Sequence, residues 1–169
     1  LFFVPLHTWA EVQKMTLKNQ SQEVKTLKVF SFAEWCLWNA ATDMENFQRN
    51  FSTGEVEVEG STLYHKTEYR TVNTEIQGYD TDRESFIGLY NEFAEPEAVM
   101  EGKPRNSFAH GWSPIASHYI EVTLQPGESR DLIFLLGYVE NEQDKKFSAK
   151  KVINKEKAHE LIAKFDTTE

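Results

Sequence analysis

The sequence predicts a mainly β protein, an antiparallel β-sandwich with a short helix and a C-terminal helix. Three observations support this class. Aromatic residues make up 13% of the 169 residues, a content typical of sheets. Several stretches alternate between apolar and polar residues, as a half-buried strand requires. Turn residues separate these stretches, as in Gln125–Glu128. The pattern leaves the strand topology, sandwich or jelly roll, open.

The first strands are predicted close to the N-terminus. The apolar start "LFFVPL" is typical of the interior of a strand, so we expect the chain to begin inside a domain. The segments "EVQKMTLKN" and "TLKVFSFAEW" are predicted as strands joined by the polar turn "NQSQE". In the second, Leu27 and Val29 lie on one face and Phe30 and Phe32 on the other, which predicts a strand covered on both sides.

Two strand pairs are predicted further along the chain. In "GEVEVEG", Val56 and Val58 alternate with outward-facing glutamates, and "STLYHKTEYR" continues it as a hairpin through the Glu59–Gly60 turn. The segments "SHYIEVTL" and "RDLIFLLGYVE" form the second predicted pair, because the turn Gln125–Glu128 joins them.

Three helices are predicted. The segment "NAATDMENFQRN" is one short helix, and Glu95–Met100 is a single turn. The segment "NKEKAHELIAKF" predicts the third, with Asn154 as its cap. Four apolar residues of this last helix share one face: Ala158, Leu161, Ile162 and Phe165.

The composition disfavours several classes of partner. The formal net charge is −9, whereas nucleic acids and anionic membranes both require a basic face. The apolar runs are shorter than a membrane-spanning helix. The one cysteine, Cys36, lies in an apolar run, which predicts a buried thiol and a reducing compartment, the cytoplasm.

The acidic segment "GYDTDRESF" does not predict a metal site. Asp80, Asp82 and Glu84 alternate, but the segment lacks the central glycine and the terminal glutamate of an EF-hand loop. We expect a solvated turn that presents Arg83 outward. A carboxylate pair for glycoside hydrolysis is possible in principle, although no spacing in the sequence specifies one.

The histidines divide into two kinds. His65 and His118 lie in predicted strands and are expected to be structural. His110 lies in the loop "NSFAHGWSPIASH", where Trp112 could pack on the apolar face of a pyranose while polar groups contact its hydroxyls. The alternative is that Trp112 closes one end of the sandwich.

Several long segments, in the same order along the chain, resemble the N-terminal domain of cellobiose phosphorylases, which belong to glycoside hydrolase family 94. The likeness begins at "LFFVPL" and covers nearly the whole chain. The segments that carry it are "EWCLWNAATDMENFQRNFSTGEVEVEGSTLYHKTEYR", "GYDTDRESFIGLYN", "HGWSPIASH", "LQPGESRDLIFLLGYVEN" and "INKEKAHELIAKF".

The resemblance implies a galactose-mutarotase-like supersandwich in residues 1–152, with early strands missing, and the start of a helical linker in residues 153–169. It also implies a glycosyltransferase reaction in which cellobiose and inorganic phosphate give α-glucose 1-phosphate and glucose with inversion. Phosphate is a co-substrate, and neither a metal nor an organic cofactor is implied. The catalytic acid belongs to an (α/α) barrel that is absent here, so we expect a catalytically inactive fragment. The stretch after Arg70 looks shorter than the family pattern.

The family resemblance also implies a homodimer in which this domain reaches its neighbour's active site. In "NFQRNFS", Arg49 would donate hydrogen bonds to the acceptor sugar and Phe51 would offer an apolar face. Gln48 and Asn50 are further candidate contacts. Alternatively, Arg49 ends a helix and pairs with a nearby glutamate, Glu45 or Glu55. A second hypothesis for the whole chain is a free-standing carbohydrate-binding module, and a third is a structural sandwich that supports a barrel.

Overall fold

A computed structural model of the protein describes residues 1–35, 56–66, 68–110 and 114–165. The chain is mainly β, with antiparallel sheets and few helices, as predicted. Two compact units make up the fold. The first contains Leu1–Lys25, Glu57–Glu75 and Leu124–Glu169, and the second contains Thr26–Val56 and Ile76–Thr123.

The first unit is built on a six-stranded sheet. Its strands are β1 (Phe2–Phe3), β2 (Ala10–Lys18), β5 (Val56–Glu59), β6 (Thr62–His65), β7 (Glu68–Val72) and β10 (Ser129–Tyr138). They lie side by side in the order β1-β2-β10-β7-β6-β5. Strand β10 is central: Leu135 pairs with Val12 of β2 and with Thr71 of β7. The predicted hairpin turn between β5 and β6 is confirmed, and Gly60 adopts a φ of 56° there. The segment predicted as the second strand is not continuous, because it contains both β6 and the start of β7, which pair with each other.

One face of this sheet carries the core of the first unit. Alternate residues of the central strands point to it, as the two-residue period of a strand requires. The C-terminal helix α3 (Glu156–Ile162) packs on this face. The buried residues are Ala10, Val12, Tyr64, Tyr69, Ile133, Leu135, Ile153 and Ala158, with Leu161, Ile162 and Phe165 packed against them. The apolar face predicted for this helix is therefore confirmed.

The helix α3 starts slightly differently from the prediction. Lys155 is its N-cap residue and makes no side-chain capping bond. The Asn154 side chain still accepts a hydrogen bond from the Glu156 amide, at 3.2 Å. A short 3₁₀ turn, Gln143–Lys145, and the small hairpin of β11 (Phe147–Ala149) and β12 (Val152–Ile153) precede it.

The second unit is built around the long strand β9 (Pro114–Leu124), which pairs with β3 (Lys25–Phe30), β4 (Ala33–Glu34) and β8 (Gly78–Asp82). Two short helices follow β8, α1 (Arg83–Ile87) and α2 (Glu97–Glu101). The predicted turn at Glu95–Met100 is thus confirmed as α2, whereas α1 was not predicted. Both helices contribute to a small core of Phe86, Ile87, Ala98 and Ile115, against which Phe30 and Phe32 pack.

Two further sequence predictions about the strands are wrong. β9 and β10 do not pair with each other, because β10 takes β2 and β7 as neighbours and β9 belongs to the other sheet. The turn between them does form: the Glu128 amide donates to the Gln125 carbonyl at 3.0 Å, and Gly127 has a φ of 78°. The strand β3 is not covered on both sides, since Leu27 is 38% exposed.

The segment after Arg70 is not interrupted in the structure. β7 runs continuously from Glu68 to Val72 and pairs with β6 and β10 along this length. The domain division at residue 152 stays a prediction. Among the described helices, none is both long enough and apolar enough to cross a lipid bilayer.

Candidate functional site

The residues predicted to contact the acceptor sugar lie outside the described part of the chain. Gln48, Arg49, Asn50 and Phe51 fall within residues 36–55, as do Cys36 and the first predicted helix. Trp112 of the predicted sugar-binding loop lies within residues 111–113, which are not described either. These assignments stay predictions.

The start of that loop, with Arg105 just before it, is anchored on β8. Asp80 is fully buried there. Its carboxylate accepts hydrogen bonds from the Arg105 amide at 3.1 Å, the Ser107 amide at 3.0 Å and the Ser107 hydroxyl at 2.7 Å. Thr81 adds a second anchor, because its hydroxyl accepts a hydrogen bond from the Ala109 amide at 2.9 Å. The loop backbone is therefore fixed by side chains of one strand.

Burial dominates the electrostatics of this anchor. It raises the pKa of Asp80, and the hydrogen bonds from Ser107 and Arg105 offset only part of the rise. Downstream of the anchor, Phe108 and His110 are exposed, with ring centroids 6.3 Å apart. The arrangement holds two aromatic rings at the surface of the second unit.

The acids of "GYDTDRESF" have separate structural roles. Asp80 is buried, Asp82 caps α1 by accepting from the Ser85 amide at 2.8 Å, and Glu84 is exposed in the first turn. The expected solvated turn is thus wrong for Asp80. Arg83 is partly covered, since it pairs with Glu34 at 2.8 Å and lies 4.6 Å from the Phe93 ring centroid. Within the described ranges, no three His, Cys, Asp or Glu side chains come together as a metal site.

The two histidines of the predicted strands, His65 and His118, are both buried. His118 lies in β9 and shares a hydrogen bond of 2.8 Å with the Ser31 hydroxyl through Nδ1. His65 lies at the end of β6 with Nδ1 3.4 Å from the Glu68 carboxylate. Both contacts agree with the structural role expected from the sequence.

A surface groove of about 920 Å³ lies in the first unit, where three elements meet. The turn before β2 contributes Trp9, the end of β10 contributes Tyr138, and α3 contributes a row of side chains at helical spacing. The residues lining it are His7, Thr8, Trp9, Tyr138, Val139, Glu140, Lys157, Glu160, Leu161 and Lys164. We call this surface the Trp9 groove.

A backbone hydrogen bond and a ring contact hold the aromatic side of the Trp9 groove. The Tyr138 amide donates to the Trp9 carbonyl at 2.8 Å, so the end of β10 fixes the start of β2. The two rings meet edge to face, with centroids 6.5 Å apart and planes at 64°. Trp9 nonetheless remains 79% exposed. An indole held this openly is available to a ligand.

The polar side of the Trp9 groove carries both signs of charge. The Lys157 ammonium donates to the Glu140 carbonyl at 2.7 Å, which ties α3 to the end of β10. The Tyr138 hydroxyl donates to the Glu140 carboxylate, and this hydrogen bond raises the pKa of Tyr138. Glu160 and Lys164 complete the wall. Two lysines and two glutamates thus face the same groove.

A second polar cluster in the first unit joins α3 to β5. Lys155 pairs with Glu57 at 2.6 Å and with Glu59 at 3.2 Å, and His159 lies 2.8 Å from Glu59. Burial would raise the pKa of Glu59, but the hydrogen bonds from Lys155 and His159 lower it below its usual value. Because both carboxylates are engaged by cations, the cluster serves as a clamp on the helix.

Antiparallel sheets with few helices define the chain as a mainly β domain. Residues 1–168 match the glycosyl hydrolase 94 supersandwich domain, and the chain belongs to this family, as the sequence resemblance indicated. It is 32% identical to an N,N'-diacetylchitobiose phosphorylase of Vibrio proteolyticus and 28% identical to one of Vibrio furnissii, in each case over 80% of the chain.

The chain spans 18% of the length of each of these two phosphorylases. It is also 24% identical to the cyclic beta-(1,2)-glucan synthase NdvB of Rhizobium meliloti (strain 1021), over 78% of the chain and 5% of that protein. Neither phosphorylase name refers to cellobiose, the disaccharide expected from the sequence.

The sequence patterns did not predict the Trp9 groove. Trp9 stands next to a predicted strand and Tyr138 ends another, but nothing local indicates that β2 and β10 are neighbours. The available signal was the spacing of Lys157, Glu160, Leu161 and Lys164, which places a polar edge beside the apolar face of α3.

Proposed function

We propose that this chain is the supersandwich domain of an inverting disaccharide phosphorylase, a glycosyltransferase that splits a β-linked disaccharide of glucose-type sugars with inorganic phosphate. The match of residues 1–168 to the glycosyl hydrolase 94 supersandwich domain carries the proposal. Two of its relatives are named as phosphorylases, which supports the reaction type. The products would be an α-sugar 1-phosphate and a free sugar.

The disaccharide is proposed to be either cellobiose or N,N'-diacetylchitobiose. The resemblance of the sequence favours the first, and the names of the relatives favour the second. The two differ in whether an acetamido group replaces a hydroxyl. The test is to supply the full-length protein with phosphate and each disaccharide separately and to measure the sugar 1-phosphate released. Phosphate-independent hydrolysis, or no reaction with either sugar, would contradict the proposal.

The catalytic acid is proposed to come from an (α/α) barrel outside this chain. Inorganic phosphate serves as the nucleophile, and neither a metal nor an organic cofactor takes part in the proposed reaction. Residues 153–169, which include α3, would begin the linker to the barrel. The 169-residue chain alone is therefore expected to be inactive, and phosphate-dependent release of a sugar 1-phosphate by the purified chain would refute this.

The domain is proposed to act across a homodimer, with Arg49 and Phe51 contacting the acceptor sugar of the neighbouring subunit and Gln48 and Asn50 beside them. A planar guanidinium suits paired sugar hydroxyls. In the full-length protein, Arg49→Ala is expected to raise the KM for the acceptor in the synthetic direction and leave phosphate use in phosphorolysis little changed. Arg49→Lys is the matched control, because it keeps the charge and loses the paired geometry. An unchanged acceptor KM and kcat in Arg49→Ala would refute the role.

The cytoplasm is the proposed location. The single cysteine, Cys36, supports a reducing compartment, because a protein built for an oxidising one often contains paired cysteines. Fractionation of the source cells, followed by detection of the full-length protein, tests this assignment.

A further inference from the structure

We propose that the Trp9 groove binds a neutral oligosaccharide. The groove lies wholly in the first unit and is built from the turn at Trp9, the end of β10 and one side of α3. It would give this domain a saccharide-binding surface of its own.

The apolar part of the groove has the geometry that a sugar ring requires. Trp9 is 79% exposed and Tyr138 is 38% exposed, so both rings are accessible. Their planes meet at 64°, which makes them two walls rather than one flat surface. Val139 and Leu161, each packed against the buried core, add two apolar side chains to the lining of the groove. A pyranose can place its apolar C–H face on the indole and its hydroxyl edge toward the helix.

The charges of the groove favour a neutral ligand over an anion. Lys157 and Lys164 are balanced by Glu140 and Glu160. The ammonium of Lys157 already donates to the Glu140 carbonyl at 2.7 Å, and the Tyr138 hydroxyl already donates to the Glu140 carboxylate. A phosphate would meet two carboxylates in the same groove, whereas sugar hydroxyls can donate to carboxylates and accept from ammonium groups.

The size of the groove fits a ligand of a few sugar rings. Its volume of about 920 Å³ lies within the range of about 300–1,000 Å³ found for small-molecule sites. The backbone segments that carry its walls are also tied together, because the Tyr138 amide bonds the Trp9 carbonyl at 2.8 Å and Lys157 bonds the Glu140 carbonyl just after β10. A pre-formed site loses little free energy to ordering when it binds.

Binding is tested on the 169-residue chain without phosphate. The probes are cellotetraose, the β-1,4-linked tetramer of N-acetylglucosamine and maltotetraose. Calorimetry gives the Kd, and ¹H–¹⁵N spectra follow the indole N–H signals, of which Trp9→Phe identifies one by its loss. We expect at least one probe to bind with a Kd of about 0.1–1 mM and to shift the Trp9 signal.

Two variants separate stacking in the groove from unspecific contact with exposed rings. Trp9→Ala is expected to weaken binding at least about tenfold, and Trp9→Phe less, because an aromatic face remains. Tyr90→Ala is the matched control: Tyr90 is a fully exposed aromatic residue in the second unit and is expected to leave the Kd unchanged. Circular dichroism spectra that match the parent chain establish that each variant is folded.

The proposal is overturned if no probe binds at about 10 mM. It is also overturned if Trp9→Ala leaves the Kd unchanged or weakens it no more than Tyr90→Ala does. Because phosphate and catalysis play no part in these measurements, a negative result leaves the proposed phosphorylase function standing. Conversely, a failure of phosphorolysis in the full-length protein would not affect binding in the groove.

Discussion

Replacing Asp80 is expected to weaken the protein strongly, because this carboxylate anchors a loop from inside the second unit. Asp80 is fully buried and accepts from the amides of Arg105 and Ser107 and from the Ser107 hydroxyl. Asp80→Ala would leave three donors without their acceptor, each worth about 1 kcal/mol net. We therefore expect the free energy of unfolding to fall by about 3 kcal/mol.

The isosteric change Asp80→Asn should cost far less. Oδ1 of Asp80 accepts from all three groups, and the amide oxygen of an asparagine can take its place. Only the second contact of the Arg105 amide, to Oδ2 at 3.1 Å, would be lost. The change also removes a buried charge, so we expect a loss of about 1 kcal/mol or less. Urea denaturation followed by circular dichroism measures both variants. Asp144→Asn, at an exposed position, is the control and should stay within about 0.5 kcal/mol of the parent chain.

The difference in stability between the parent chain and Asp80→Asn should depend on pH, and the raised pKa of Asp80 gives the sign. Burial raises the pKa of Asp80 in the folded protein, so the folded state favours the protonated carboxyl. Its contribution to stability is fully present below the unfolded pKa of about 3.9 and is lost as the pH rises through the folded pKa. The stability of the parent chain relative to Asp80→Asn should therefore be greater at about pH 4 than at about pH 7.

The anchoring role itself is tested by Asp80→Ala. A free energy of unfolding within about 0.5 kcal/mol of the parent chain would refute it.

Three further changes test other parts of the first unit. The buried Arg70 guanidinium donates to the Gln13 side-chain oxygen at 3.0 Å. Gln13→Leu removes this acceptor and should lower the free energy of unfolding by about 2 kcal/mol, whereas Arg70→Met removes the charge itself and should lower it by less than about 1 kcal/mol. Urea titrations that gave the opposite order would contradict this. Gly137→Ala should lower the unfolding free energy by about 2 kcal/mol or more, since a Cβ would lie 2.1 Å from Cζ of the buried Tyr69, and an unchanged midpoint would count against that packing. The lowered pKa of Glu59 means that its contribution is present above its unfolded pKa and is lost as the pH falls through the folded one. Melting curves should therefore separate Glu59→Gln from the parent near pH 7 and bring the two together near about pH 3, and a constant gap would argue against the clamp.

The strands themselves could be predicted because their residues alternate locally. Val56 and Val58 are separated by glutamates, and the hairpin that this pattern predicts is present. The same local reasoning failed for β9 and β10. A four-residue turn joins them, and a short turn favours a hairpin, but the ten residues of β10 are matched to β2 and β7, which are distant in sequence.

Burial of polar groups was equally beyond local reasoning. Asp80 alternates with Asp82 in a segment that looks solvated, yet it lies inside the second unit. What allows this is a set of donors from Arg105 and Ser107, more than twenty residues away. Because neither loop signals the other in the sequence, the anchor could be found only in the structure.

The candidate sites also divide into features that the sequence reveals and features that depend on contacts between distant residues. The family and its supersandwich fold could be recognised from the sequence, and the match over residues 1–168 confirms them. The acceptor contacts proposed for Arg49 rest on resemblance and stay a prediction. The Trp9 groove depends on bringing Trp9 beside Tyr138, residues at opposite ends of the chain, so no local pattern could reveal it.

The central place of β10 has a consequence for synthesis of the chain on the ribosome. Every register partner of β10 in β2 precedes it by more than a hundred residues. At about 5–20 residues per second, β2 emerges roughly 5–25 seconds before the strand that completes its pairing. During that interval its inward-facing apolar residues and one row of backbone groups have no native partner, which makes this a period of aggregation risk. Nascent chains that stop before Ser129 should therefore depend most on chaperones.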